Sequence, residues 1–180
     1  MGQERPASWF DQRYRESGLH EKELGELSYG SLLQEVAGQV TAEARVVDVG
    51  SRAGHMAELL RAEGVTDYLG FDFAPTAVEA AEHRAPWAWF VNIDVRQVRF
   101  PHADLFLFVD VLENIWDDVE VVNTVPSDSR LIVSVPREDG PARVAHFPEL
   151  EAATERYRDV MEIEDAYTYE NGHHVLIGTS

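Results

Sequence analysis

Three observations predict an α/β fold whose doubly wound, mostly parallel sheet ends in an antiparallel hairpin. Short apolar stretches alternate with amphipathic ones between residues 45 and 136, as strands and helices do along a parallel sheet. The run LeuPheLeuPheVal at 105–109 is apolar on both faces, as a strand covered by helices on each side must be. AsnGly at 171–172 separates two further strand-like runs and is the strongest short hairpin signal.

The elements follow in order. Residues 8–16 form an amphipathic helix with Ser8 in the N-cap position. A second helix starts at Ser31, where Ser31 and Gln34 have capping-box spacing and Leu32, Leu33, Val36 and Val40 make an apolar face. Arg45–Val49 is the first strand. A helix from about Gly54 to Glu63 carries Met56, Leu59 and Leu60, and Gly64 stops it. The second strand is Tyr68–Phe71, and the next helix opens at Ala74 with Pro75 in its first turn, where the missing N–H does no harm. Ala88–Val91 and Leu105–Val109 are the third and fourth strands. A helix is expected from about Asp110 to Asn123, then a strand over 131–135 ended by Pro136, and another helix near Pro148. Met161, Ile163 and Tyr167 alternate before AsnGly, and residues 173–178 make the final strand. No repeat, low-complexity segment or linker interrupts the chain. It therefore reads as one domain over 1–180, with a helical cap segment at 1–42 and the sheet-bearing core at 43–180.

The length of 180 residues and a hydrophobic content of 44% suit an ordinary globular core. No apolar run reaches membrane-spanning length, and the first residues lack the apolar stretch of a secretion signal. There is no cysteine, so disulfides and thiolate metal sites are excluded, and a cytoplasmic location is expected. A net charge of −18 repels phosphate backbones, and Lys22 is the only lysine among scattered arginines. Nucleic acid and anionic membrane are thus not expected partners.

The chemistry concentrates at 45–55. An apolar strand ends beside Asp48, a glycine-containing turn follows, and then a helix begins. Such a turn presents a helix N-terminus and bare backbone N–H groups to a ligand. Asp72 ends the next strand, 22 positions after Gly50. Together they are equipment for a nucleoside-containing cofactor.

At this point the chain resembles the class I S-adenosylmethionine (SAM) dependent methyltransferases. Four segments carry the likeness, spread over most of residues 9–178. AspValGlySerArgAlaGly (48–54) is similar to the family's Asp-x-Gly-x-Gly-x-Gly loop. GlyPheAsp (70–72) matches the acidic end of the second strand, and AsnIleAspVal (92–95) the acid after the third. AspLeuPheLeuPheValAspValLeuGluAsnIle (104–115) is similar to the fourth strand and the Asp-Val-Leu-Glu-His stretch that follows it. The resemblance implies a Rossmann-like, seven-stranded sheet with one reversed strand, SAM as cofactor and S-adenosylhomocysteine as product. It implies a cofactor site of Tyr14, Asp48, Gly50, Ser51, Arg52, Gly54, Asp72, Phe73, Asp94, Val95 and Asp110. In that site Asp72 would accept both ribose hydroxyls. Asp94 would take the adenine amino group while the Val95 N–H meets a ring nitrogen. Asp48 would orient the loop or reach the cofactor's ammonium through water. Helix capping is the competing explanation for these carboxylates, and plain core packing for Tyr14.

Two departures stand out. Arg52 occupies the middle glycine position, and Asn114 the position where histidine is common. Either the loop tilts to accommodate Arg52, or its guanidinium adds a contact, for instance to the cofactor's carboxylate. A nicotinamide-dinucleotide reading would need glycines at 50, 52 and 55, where the chain has Gly50, Arg52 and His55.

Methyl transfer is an in-line displacement, and a protein accelerates it mainly by alignment. A base helps only when the acceptor carries a proton at neutral pH. His146, after the fifth strand, and Asp110, at the end of the fourth, are the candidate catalytic residues, with an ordinary loop histidine as the other reading of His146. His55 reads as a cofactor-side or packing residue, His173 and His174 as surface residues, and His20 and His102 as loop residues without a partner. No metal-ligand set is evident. Residues 9–30, 110–118 and 137–150 are expected to build the acceptor site, with Trp9, Phe10, Tyr29, Trp116 and Phe147 as apolar walls. The expected activity is methylation of an oxygen or nitrogen of a small molecule, in natural-product biosynthesis. A protein methyltransferase and a non-catalytic SAM-fold subunit are the rival readings.

Overall fold

The computed structural model describes residues 2–18 and 22–180. His20 lies outside the described residues. The chain divides into two compact units, Pro6–Val98 and Arg99–Ser180, the latter joined by the stretch that ends at Arg5. The strand order of the seven-stranded sheet is β3 (Trp89–Asn92), β2 (Asp67–Asp72), β1 (Arg45–Val49), β4 (Leu105–Val109), β5 (Arg130–Pro136), β7 (His173–Thr179), β6 (Glu162–Thr168).

The unit Pro6–Val98 contains α1 (Ala7–Ser17), α2 (Gly30–Ala37), β1 (Arg45–Val49), α3 (His55–Ala62), β2 (Asp67–Asp72), α4 (Pro75–Arg84) and β3 (Trp89–Asn92). β1 and β2 run parallel from the Arg45–Asp67 pair to the Val49–Phe71 pair, and β2 pairs β3 in parallel from Leu69–Trp89 to Asp72–Asn92. Val46, Val47 and Val49 are buried, whereas β3 is an edge strand with Trp89 and Val91 exposed.

α1 starts one residue earlier than expected, with Pro6 in the cap position and no side-chain cap bond, so Ser8 is not the cap. Pro6 already holds the extended backbone that precedes a helix, which leaves Ser8 inside the first turn. Ser31 is likewise inside α2, whose cap position is Tyr29. The capping box belongs instead to the short 3-10 turn Leu24–Glu26, between Glu23 and Glu26. α1 is tethered to α4 by Asp11, which accepts the Thr76 N–H at 2.8 Å and so satisfies a donor in the first turn of α4.

The second unit contains β4 (Leu105–Val109), α5 (Asp118–Asn123), β5 (Arg130–Pro136), α6 (Leu150–Tyr157), β6 (Glu162–Thr168) and β7 (His173–Thr179). β4 and β5 are parallel, β5 and β7 antiparallel, and β6 and β7 antiparallel with a register shift between Ile163 and Asp165. Every residue of β4 is buried. Each large side chain sealed there contributes about 1.5–3 kcal/mol relative to exposure.

The helix expected over 110–123 is not formed as one element. A 3-10 turn, Leu112–Asn114, and then α5 replace it. Asp110 has a φ of 53°, in the left-handed region, so the chain turns before a helix can propagate. The Asn171–Gly172 hairpin is present. Only Gly172 is left-handed, at φ 83°, and its N–H donates to Tyr169 O at 3.0 Å while the Tyr169 N–H donates to His173 O at 2.7 Å.

Candidate functional site

In the unit Pro6–Val98 the site grows from the turn after β1. Gly50, Arg52 and Gly54 all have positive φ, at 78°, 52° and 79°. Alternating left-handed residues fold the turn tightly under the start of α3. The N–H groups of Gly50 and Ser51 both donate to Phe71 O, at 2.8 and 3.0 Å, which clamps the turn to the end of β2. A Cβ on Gly54 would lie 3.0 Å from Ala81 Cα, so glycine lets α3 and α4 approach. A Cβ on Gly70 would stand 2.7 Å from Ser51 Oγ and 2.6 Å from Phe90 Cδ1, so the bare strand residue makes room for the turn. Ser51 Oγ is buried and has no hydrogen-bond partner among the described residues.

Arg52 is held in its left-handed conformation by two contacts. Its N–H donates to Asp72 Oδ2 at 3.0 Å, and its guanidinium lies over the Tyr29 ring, 4.3 Å from the centroid. A side chain in that region costs on the order of 1–2 kcal/mol, and a cation over an aromatic face returns about 0.5–1 kcal/mol. Arg52→Gly is therefore expected to stay within about 1 kcal/mol of wild-type stability, because relief of strain offsets the lost ring contact. Arg52→Ala keeps the strain and loses the contact, so it should fall about 1 kcal/mol below Arg52→Gly in denaturant unfolding. The reverse order would show that the turn is unstrained.

Asp72 is 8% exposed. Oδ2 accepts from Arg52 N, and Oδ1 accepts the Ala74 N–H at 2.8 Å. Burial raises its pKa, and those backbone donors and the Arg52 charge oppose the rise. The Asp72 carbonyl also accepts from Ile93 N and Asn92 Nδ2, at 3.0 and 3.1 Å, which ties the start of the 93–95 segment to the end of β2. Asp94 caps the 3-10 turn Val95–Gln97. It accepts the Arg96 N–H at 3.0 Å and is bidentate with the Arg96 guanidinium, which holds its carboxyl below the usual range. Val95 is half-buried.

Asp48 is 3% exposed and accepts a hydrogen bond from the Tyr68 hydroxyl. Burial pushes its carboxyl up to about 7, against the opposing pull of that bond and of Arg52. Tyr14 is buried against Ala74 and Ala77, with Phe10 and Phe73 packed beside it. His55 is buried and bonded through Nε2 to Lys22 O at 2.7 Å, a packing role.

In the second unit, Asp110 meets His173 Nε2 at 3.2 Å and Arg143 Nη2 at 3.5 Å. His146 is exposed and makes no hydrogen bond among the described residues. Its neighbour Phe147 is buried and packs on Tyr157, with ring centroids 6.3 Å apart, and so is a core residue where a site wall was expected. The surface reading of His173 and His174 is also corrected. His174 is 1% exposed, its Nε2 donates to Phe147 O at 2.9 Å, and its Nδ1 accepts from Thr168 Oγ1. Both contacts depend on β7 lying between β5 and β6, which makes it an interior strand. Asn114 donates through Nδ2 to Val111 O at 3.3 Å. Among the described residues no group of three or more His, Cys, Asp or Glu could hold a metal ion, and no helix is long and apolar enough to cross a membrane.

Sequence reasoning missed Tyr68, His173, Arg143 and Glu113 as partners of the acids. Only Tyr68 left a signal. Val46 lies opposite it, so period-two alternation puts Asp48 and Tyr68 on one face of adjacent strands.

A methyltransferase-domain family model matches residues 20–161, and the chain belongs to that family. Its fold is that of the class I SAM-dependent methyltransferases. No curated protein matches the chain. Among solved structures it is similar to a chain from the complex between the Haloferax volcanii Trm112 methyltransferase activator and a methyltransferase, at TM-score 0.76 and 12% identity over 95% of each chain. It is similar to magnesium protoporphyrin IX methyltransferase from Synechocystis PCC 6803 with bound S-adenosylhomocysteine, at TM-score 0.71 and 14% identity over 96% of this chain and 98% of that one. An O-methyltransferase family 2 protein from Planctomyces limnophilus in complex with apigenin gives TM-score 0.69 and 15% identity, with 97% of this chain covering 61% of that one.

Proposed function

We propose that this chain is a SAM-dependent methyltransferase acting on an oxygen or nitrogen of a small molecule, in natural-product biosynthesis in the cytoplasm, and working as a single domain. The state of Asp72 carries the cofactor reading. Each of its oxygens already holds one backbone N–H, and a carboxylate offers about four lone-pair sites, so the two oxygens can still accept from a vicinal pair of hydroxyls. The residues present fit the cofactor in this respect.

In this reading Gly50, Ser51 and Gly54 give the bare-backbone approach, and the orphaned Ser51 hydroxyl is a spare polar group in that turn. Asp94 and Val95 take the adenine edge, and Phe73 and Tyr14 form its apolar surround. Asp48, one strand over, sets the turn from beneath through Tyr68. Arg52 keeps its guanidinium on Tyr29 and so draws its side chain off the turn. When bound, SAM supplies a methyl group on a sulfonium centre, and the protein's part is to hold acceptor and methyl in line. The SAM and S-adenosylhomocysteine complexes of the Synechocystis neighbour support the cofactor, and the apigenin complex supports a small-molecule acceptor.

The test is direct. Calorimetric titration should give saturable SAM binding, and SAM at a hundredfold excess over Kd should raise unfolding stability by about 2.7 kcal/mol. A chain that releases no binding heat and whose melting point does not move is the non-catalytic subunit of the rival reading.

A further inference from the structure

The sheet is open at β3, the first strand in its order. The Ile93 N–H, just past the strand, donates to Asp72 O at 3.0 Å. Backbone groups alternate in direction along a strand, so Trp89 and Val91 turn theirs toward β2, and Phe90 and Asn92 turn theirs away from it. Among the described residues no hydrogen bond reaches the outward N–H groups of Phe90 and Asn92.

The side chains beside that edge are apolar. Three large apolar side chains are exposed among the described residues, and two of them stand on β3: Trp89 at 77% and Val91 at 38%. They share a face with half-buried Leu69, which lies opposite Trp89 in the ladder. Phe90 points to the other face, with its ring centroid 5.8 Å from that of Tyr68. Parallel strands are ordinarily covered on both faces by crossover helices. Residues 93–104, which lead from β3 to β4, hold only the 3-10 turn Val95–Gln97, so this crossover supplies no helix to cover Leu69, Trp89 and Val91.

Proteins guard exposed edges with charges, prolines or bulges. β6, the last strand in the order, carries Glu162, Glu164 and Asp165 and a register shift between Ile163 and Asp165. β3 has no such guard. No residue from Pro86 to Ile93 is charged, in a chain that is 27% charged.

Charge and size decide what fits there. A second copy would set one net charge of −18 against another, and the four residues of β3 fall far short of the about 20–30 a side that a stable interface engages. A short strand needs long-range attraction to supplement it, and an acidic chain attracts basic ones. We propose that β3 receives an added strand from a basic partner protein, an extended segment apolar at alternate positions and flanked by lysine or arginine. The main chain of that segment pairs with the outward groups of Phe90 and Asn92, and its apolar side chains cover Trp89 and Val91. Such docking is independent of the reaction the chain catalyses.

The experiment mixes the full chain with short synthetic peptides that alternate valine and threonine. One is flanked by lysines, one by glutamates, and a third is the lysine peptide with its central amides N-methylated. The lysine peptide should shift the Trp89 emission to the blue, read as the difference from Trp89→Phe, and should slow hydrogen exchange at the Phe90 and Asn92 amides followed by NMR. The glutamate peptide should bind at least about tenfold more weakly at low salt, and added salt should narrow that gap. The N-methylated peptide should not bind, because it cannot donate to the edge. Val91→Lys places a charge on the open strand and should weaken the lysine peptide at least about tenfold with the melting temperature retained. If that variant does not fold, the N-methylated peptide makes the same test on the wild-type protein. No response to the lysine peptide, equal binding of the glutamate or N-methylated peptide, or slowed exchange at other amides alone overturns the proposal. A wild-type dimer in sedimentation that Val91→Lys dissolves makes the occupant a second copy and overturns it as well.

Discussion

Asp72→Ala is expected to weaken SAM binding at least tenfold in a calorimetric titration. The carboxylate is buried at the tip of β2 and aimed by two backbone donors from different segments, Arg52 N in the turn and Ala74 N before α4. Its position is thus settled before any ligand arrives, and no ordering cost is left for binding. Hydrogen bonds to a charged group are worth about 1.5–3 kcal/mol each, and about 1.4 kcal/mol is tenfold in affinity, so the loss of even one exceeds that threshold. The substitution also frees the Arg52 and Ala74 N–H groups, so a drop in melting temperature should accompany it. Asp72→Asn separates the effects. It keeps one acceptor oxygen for the backbone and loses the charge. Wild-type SAM affinity in both variants would mean that Asp72 is only a cap for the turn.

Asp48→Asn is expected to stabilise the protein at neutral pH. The buried carboxyl has its pKa raised to about 7, against about 3.9 in an unfolded chain. For an acid raised in the folded state, the native protein binds more protons than the unfolded chain between those two values. Stability therefore falls as pH climbs through that window, and the penalty is complete above it and absent below about pH 4. At about 1.4 kcal/mol per unit the shift corresponds to roughly 4 kcal/mol as an upper bound. Asparagine has no charge to desolvate and can still accept the Tyr68 hydroxyl. Urea unfolding at about pH 8 should show a gain of several kcal/mol, shrinking to nothing near pH 4. An equal gain at both values would rule out the linkage. A stabilised Asp48→Asn that binds SAM more weakly would show that the buried charge is retained for the cofactor turn.

How much was legible in the sequence differs element by element. β4 was legible to the residue, because a strand buried on both faces has no polar position to blur its ends. The turn at 50–54 was legible because glycine spacing is a local property. The helix over 110–123 was misread. Its composition permits a helix, and nothing local announces that Asp110 turns left-handed under the hold of Ser134, 24 positions away. His174 was misread as surface because alternation gives two faces of a strand without saying which is covered. β7 lies between β5 and β6, so both of its edges are paired. Phe147 was misread because a loop residue two positions past Ala145 carries no periodic signal, although it packs on Tyr157.

Sequence alone determined the order of strands and helices, the acids at the strand tips and the glycine turn, because hydrophobic period and backbone freedom are properties of neighbours along the chain. Tertiary structure alone decided what those acids do. Tyr68 reaches Asp48 across 20 positions and His173 reaches Asp110 across 63, through strand register and not through any local pattern. A carboxylate's charge depends on what is packed around it, and that is settled only when the strands have paired.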